Sequence, residues 1–170
     1  MKKVYYSWQD VEGQCQEILR QLQADLWQPD YVVGLTRGGL VPANLISQYL
    51  DVPMETLKVS LRDGSGQPES NLWMAEDALG TNLGEGKNIL IVDDINDTGA
   101  TLNWIMQDWQ SSCLPNDYRW YKDVWNSNVR FAVLVNNEAS EFKRIDYSSI
   151  DINKAEEDSW IVFPWEDWWK

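Results

Sequence analysis

The sequence predicts an α/β fold in which a twisted parallel sheet carries helices on both faces. Three observations lead there. Short β-prone runs recur at residues 31–35, 89–92 and 131–135, helical apolar spacing separates them, and the first two end in turns rich in glycine or carboxylate. Strands alternating with helices favour parallel pairing, because each crossover lays its helix across a sheet face.

Taken in order, Val11, Cys15, Ile18, Leu19, Leu22 and Leu26 form one face of a helix of roughly five turns. Ser7 is its candidate N-cap and Pro29 stops it. The run 31–35 breaks at Thr36, Arg37, Gly38 and Gly39, and 42–50 reads as the next helix with Pro42 at its start. Residues 54–61 form a further strand. The stretch 62–86, rich in Gly, Ser, Asn, Asp and Glu, reads as a long loop or flap. The strand 89–92 then leads into Asp93, Asp94, Ile95, Asn96, Asp97, Thr98, Gly99, Ala100 and Thr101, and 100–110 is helical. A last buried strand covers 131–135, while 116–128 is an aromatic-rich connection with no assignable structure.

Composition narrows the chemistry. A chain of 170 residues with 44% apolar content and no membrane-length run is expected to be one soluble domain. No apolar stretch of signal-peptide type follows Lys2 and Lys3, and the two cysteines, Cys15 and Cys113, lack metal-ligand spacing. A reduced cytoplasmic setting is therefore expected. The net charge of −13 argues against a nucleic-acid partner, since binding a phosphate backbone rests on cationic side chains. Having no histidine excludes Ser-His-Asp triads, Cys-His pairs and histidine-bound zinc. Catalysis must rest on carboxylates, positioned donors or a hard cation held by oxygen.

The carboxylate segment meets that requirement. In an open α/β sheet, ligands bind beyond the carboxyl ends of strands, and Asp93, Asp94 and Asp97 sit just past such an end. The amides of residues 98–101 would open the following helix, where unpaired N–H groups and the helix dipole attract a phosphate. Thr98 and Thr101 add hydroxyls, and Gly99 permits a close turn. Adjacent carboxylates accept hydrogen bonds from sugar hydroxyls and hold Mg²⁺, so one loop can grip a phosphorylated sugar at both ends. An aspartate-rich diphosphate motif of the isoprenoid synthase type is excluded by context. That motif lies on a helix, whereas this one follows a β-prone run and continues into Thr98 and Gly99.

The 89–101 segment resembles the ribose-phosphate signature of type I phosphoribosyltransferases. Residues 33–43, Val-Gly-Leu-Thr-Arg-Gly-Gly-Leu-Val-Pro-Ala, resemble the pyrophosphate loop of the bacterial xanthine-guanine and hypoxanthine enzymes. Residues 159–165, Ser-Trp-Ile-Val-Phe-Pro-Trp, are similar to their base-binding end. The resemblance implies the type I phosphoribosyltransferase fold over 1–170, with a mobile flap at about 62–86 and a small C-terminal hood at about 147–170.

It also implies roles. Asp93 and Asp94 would contact the ribose hydroxyls of phosphoribosyl pyrophosphate directly or through Mg²⁺. Residues 97–101 would wrap the 5′-phosphate, and Thr36, Arg37, Gly38 and Gly39 would hold the pyrophosphate, in a loop that in this family often contains a non-proline cis peptide. The implied reaction is displacement of pyrophosphate by a base nitrogen, as in purine salvage, with Arg37 at the leaving group. An aspartate at the position of Asp97 acts in proton transfer near N7 of a 6-oxopurine (xanthine, guanine or hypoxanthine), so Asp97 favours that class. Trp160 would stack on the base, with Ile161 supplying backbone contacts, and the assembly would be a homodimer or homotetramer. The alternatives are a transferase for another base and a non-catalytic sensor of phosphoribosyl pyrophosphate on the same fold.

Three departures bear on specificity. Where xanthine-guanine enzymes carry a lysine that donates to the exocyclic oxygen, this chain has Asn136 or Asn137. Ser60-Leu61 replaces a usual Ser-Tyr before the flap, and Asn96 replaces an apolar residue inside the signature.

Overall fold

Five parallel strands form the central sheet of the computed structural model, which describes residues 1–59, 71–81 and 84–170. In chain order the elements are β1 (Lys2–Tyr5), α1 (Trp8–Ala24), β2 (Tyr31–Leu35), α2 (Leu40–Leu50), β3 (Met54–Leu57) and α3 (Leu72–Leu79). They continue as β4 (Ile89–Asn96), α4 (Ala100–Ser112), a π-helical turn (Trp120–Val124), β5 (Val129–Asn137), β6 (Tyr147–Ile152) and β7 (Ser159–Val162). The strand order is β3-β2-β4-β5-β6, with β1 and β7 paired separately as a two-stranded parallel sheet.

Each long element follows from its residues. A capping box starts α1: the Ser7 hydroxyl accepts from the Asp10 amide at 3.0 Å, and the Asp10 carboxylate accepts from the Ser7 amide at 2.8 Å. Its apolar stripe, Val11, Cys15, Ile18, Leu19 and Leu22, is buried with Ala43 and Ile46 of α2 against Val32, Leu90, Val92, Ala132 and Leu134 of the sheet. The opposite face packs α3 and α4 through Met74, Ala78, Leu102, Ile105 and Trp109 onto Val33, Ile91 and Phe131. Strands covered on both sides read as continuous apolar runs, as β2, β4 and β5 do.

Several expectations need correction. Leu72–Leu79, placed in the long loop, is α3, whose Met74, Ala75, Ala78 and Leu79 are buried. Their helical spacing was masked by the glycine, serine and asparagine around them. The strand at 54–61 ends at Leu57; Ser60 and Leu61, together with residues 62–70 and 82–83 of the expected flap, lie outside the described residues. Residues 147–152, assigned to the hood, are instead the edge strand of the main sheet, pairing with β5. Beyond them, β7 joins β1, an N-terminal strand that carries no periodic signal. The unassigned aromatic connection buries Trp120 and Trp125, stacked at 5.5 Å, and the Trp120 indole donates to the Cys113 carbonyl at 2.7 Å.

The topology also places the site. From β2 the chain turns to β3 on one side, and from β4 it turns to β5 on the other. Helices α2 and α4 consequently leave adjacent strands toward opposite faces, opening a crevice at their carboxyl ends.

Candidate active site

Two loops meet in that crevice. After β2 the chain makes a cis peptide between Thr36 and Arg37, then runs through Gly38 and Gly39 into α2. A side chain at Gly39 would sit 2.4 Å from the Val92 carbonyl, and one at Gly38 would sit 2.1 Å from the Asp94 carboxylate. Only glycine lets this loop lie directly on the end of β4. Arg37 is exposed at its tip, and Thr36 is partly buried.

Asp93 and Asp94 belong to β4 itself, which extends beyond the expected 89–92 to Asn96. Asp93 accepts from the Asp94 amide at 2.9 Å, and Asp94 accepts from the Ile95 amide at 2.8 Å. Burial holds the Asp93 carboxyl well above the usual range, and the charge of Asp94 adds to this. Burial also raises Asp94, and Glu166 of the C-terminal segment pushes in the same direction. Such a pair is primed to accept compensating positive charge.

Beyond Asn96 the chain curls around a recess of about 220 Å³ lined by Asp93, Asp94, Asp97, Thr98, Ala100 and Thr101 among others. Pockets for drug-sized ligands run from roughly 300 to 1,000 Å³, so this volume suits a phosphate and its sugar carbon. Gly99 takes a φ of 92° at the N-cap of α4, where a β-carbon would also strike the Phe142 amide at 2.5 Å. No side chain caps α4 from the N-cap position, and Thr98 Oγ1 accepts only from the Ala100 amide at 3.3 Å. The remaining first-turn amides are available to an anion.

Lys154, which sequence reasoning did not single out, completes the floor together with Asn137 and Asn96, which it noted only as departures from the family pattern. Lys154, after β6, places its ammonium 2.8 Å from Asp97 Oδ1 and is largely buried. Asn137 donates to the Asp97 carbonyl at 2.8 Å and accepts from the amides of Ala139 and Lys154 at 3.1 and 3.0 Å. Both ends of its amide are thus bonded within the protein, whereas Asn136 is partly exposed. Asn96 is buried and donates to Asn136 at 3.0 Å. A lone lysine in the run 152–158 was the signal for Lys154, but the pairing is three-dimensional.

The predicted base-binding end divides. Trp160 lies on β7 with 49% of its surface exposed, whereas the Ile161 side chain is buried in the core. Trp165 stacks on Phe163 at 4.8 Å, and Trp168 and Trp169 are exposed. Among the described residues, no three Asp, Glu or Cys side chains form a metal cluster. Nor is any described helix long and apolar enough to cross a membrane.

Comparison with known proteins decides the family. The model of the phosphoribosyl transferase domain matches residues 2–167. The chain belongs to the phosphoribosyltransferase family. A xanthine-guanine phosphoribosyltransferase of Cereibacter sphaeroides is 31% identical over 79% of this chain and 68% of its own length. A hypoxanthine-guanine phosphoribosyltransferase of Schizosaccharomyces pombe is 24% identical over 96% of this chain and 89% of its own. Among solved structures, a purine phosphoribosyltransferase from Pyrococcus horikoshii superposes with a TM-score of 0.67 at 25% identity, covering 97% of this chain and 95% of that one. The two loops described above are the parts of this phosphoribosyltransferase that meet at the β2/β4 crevice.

Proposed function

We propose that this phosphoribosyltransferase moves ribose 5-phosphate from phosphoribosyl pyrophosphate to a 6-oxopurine, xanthine, guanine or hypoxanthine, releasing pyrophosphate. The observation that carries the reading is the junction of residues 36–39 with Asp94 at Gly38, which makes the two loops one continuous surface. The recess at 93–102 takes the 5′-phosphate on the α4 amides and on Thr98 and Thr101. Asp93 and Asp94 accept from the ribose hydroxyls, and Thr36, Gly38, Gly39 and Arg37 hold the pyrophosphate. Arg37 balances the charge that the departing group acquires.

A magnesium ion fits these residues. Two carboxylates held above their usual range by burial are the expected donors for an ion that keeps most of its water and shares substrate phosphates. Asp93 and Asp94 would hold it, and when bound it would screen the charge of the pyrophosphate. Asp97, kept in place by Lys154 and by the grip of Asn137 on its backbone, handles the purine proton. Trp160 offers an aromatic face for the base, Ile161 its backbone, and Asn136 a polar edge. The chain works in the cytoplasm as a homodimer or homotetramer.

The experiment is pyrophosphate release from phosphoribosyl pyrophosphate and Mg²⁺ across a panel of purine and pyrimidine bases. Release with 6-oxopurines supports the reading. Release confined to other bases, or tight ligand binding with no release at all, sinks it.

A further inference from the structure

We infer that Asn137 and the turn 139–142, locked by Asn96 and Ser140, form a brace that draws two carbonyls of the phosphate loop backward and so turns the Thr98 and Gly99 amides toward the ligand's 5′-phosphate. Asn137, Asn96 and Ser140 are positioning residues. The inference deepens the proposed function and rests on it.

The brace is read from the carbonyls it grips. Asn137, only 6% exposed at the end of β5, donates to the Asp97 carbonyl at 2.8 Å, and its oxygen accepts from the Ala139 and Lys154 amides at 3.1 and 3.0 Å. A carbonyl only accepts and a backbone N–H only donates, so these partners fix which end of the side chain faces Asp97. The next carbonyl along, that of Thr98, accepts from the Glu141 amide at 2.9 Å. Both peptides are trans, and a trans peptide points its N–H opposite to its C=O. The amides of Thr98 and Gly99 therefore face away from Asn137 and the turn. Among the described residues neither amide has a protein acceptor. They open on the recess of about 220 Å³, whose lining includes Thr98 and Gly99 but none of residues 137–142. Successive amides turned to one side make an anion-binding nest, which the first turn of α4 extends.

The turn is itself held by buried side chains. Ser140, 1% exposed, donates its amide to the Asn137 carbonyl at 2.9 Å, accepts the Phe142 amide on its hydroxyl at 3.0 Å and gives the hydroxyl proton to Asn96 Oδ1 at 2.9 Å. Asn96 Nδ2 completes the ring on the Phe142 carbonyl at 3.1 Å and on Asn136 Oδ1 at 3.0 Å, its partner across the β4–β5 register. The Glu141 amide is thus fixed between two anchored neighbours. Gly99 lies so close to the turn that a β-carbon would sit 2.5 Å from the Phe142 nitrogen and 2.7 Å from the Ser140 hydroxyl. Two departures from the family pattern gain a physical reason. A lysine at 137 has no acceptor for the Ala139 and Lys154 amides, and an apolar side chain at 96 would strand the Ser140 hydroxyl and the Phe142 carbonyl.

The test titrates isotope-labelled protein by heteronuclear NMR with ribose 5-phosphate, read at the Thr98 and Gly99 amides, and separately with Mg²⁺ and pyrophosphate, read at Gly38 and Gly39. In wild type the Thr98 and Gly99 amide protons should move downfield as ribose 5-phosphate binds, the mark of a hydrogen bond to an anion. Asn137→Ala and Ser140→Ala should each weaken ribose 5-phosphate by about tenfold to a hundredfold, the worth of a charge-assisted hydrogen bond, while pyrophosphate binds as in wild type. Melting curves check folding, and Ser140→Ala decides alone where Asn137→Ala does not melt cooperatively. Unchanged ribose 5-phosphate affinity in a folded variant, equal weakening of both ligands, or wild-type Thr98 and Gly99 amides that do not respond overturns the inference. Pyrophosphate release from phosphoribosyl pyrophosphate and hypoxanthine is measured on wild type alongside. Release with no effect of the substitutions rejects the brace alone, and the expected loss of ribose 5-phosphate binding without release rejects the transferase reading alone.

Discussion

Replacing Gly38 with alanine tests the join between the two loops with a single methyl group. The added β-carbon would lie 2.1 Å from Asp94 Oδ2. An ordinary contact needs about 3.4 Å, so the carboxylate must retreat by roughly 1.3 Å or the loop must lift by as much. Retreat pulls Asp94 from the Ile95 amide, which it accepts at 2.8 Å. Overpacking of this kind costs about 1–3 kcal/mol, equivalent to a melting-temperature fall of about 5 °C for a chain of this size. Displacement of a substrate-positioning group by about 1 Å lowers turnover on the order of 100-fold. Steady-state pyrophosphate release and thermal melting read both effects. Gly13→Ala is the control: it lies on the exposed face of α1 with nothing within 4 Å of its added carbon, and it should stabilise by about 0.5–1 kcal/mol. A Gly38→Ala protein with wild-type KM for phosphoribosyl pyrophosphate and wild-type melting would refute the contact.

The remaining predictions concern charge and packing. Because Asp93 is raised above its unfolded value, the native state binds the extra proton, so this group's contribution falls as pH rises above about 4 toward its folded value. Asp93→Asn should therefore raise the melting temperature of the metal-free protein near neutral pH and shrink the stabilisation produced by Mg²⁺; a lower melting temperature contradicts this. Lys154→Met removes the cation 2.8 Å from Asp97, a pair whose carboxylate is 43% exposed and whose stabilising worth is discounted to about 1 kcal/mol. It should lower kcat/KM for the base while leaving KM for phosphoribosyl pyrophosphate in place, and the opposite split would remove Lys154 from the positioning of Asp97. Trp120→Ala empties a fully buried site and strands the Cys113 carbonyl. Denaturant unfolding should show a loss of about 3–5 kcal/mol, and a loss below 1 would mean the π-helical turn is not part of the core.

Strand and helix order was legible because both periodicities are strong where one element meets two layers of core. The 31–35 run and the Ser7 cap mark their elements to the residue. Helix α3 was hidden because eight residues carry little periodic signal inside a glycine- and serine-rich stretch. Strands β1 and β6 were hidden because they are mostly exposed or half-buried, so their patterns do not repeat cleanly, and β7 because four residues are too few to show a period. At the site, local motifs placed Asp93, Asp94 and residues 97–101, since a strand end, a turn and a helix start are contiguous in sequence. Lys154 and the Asn96–Asn136 pair could not be read that way. Their meaning depends on register between β4 and β5 and on a loop more than fifty residues downstream of Asp97.

The central claim is the coupled formation of two products. With phosphoribosyl pyrophosphate, Mg²⁺ and hypoxanthine, chromatography should find inosine 5′-monophosphate and pyrophosphate in equal amounts, and neither when the base is omitted. Pyrophosphate appearing without the base, or phosphoribosyl pyrophosphate bound but returned intact with every base, would contradict it.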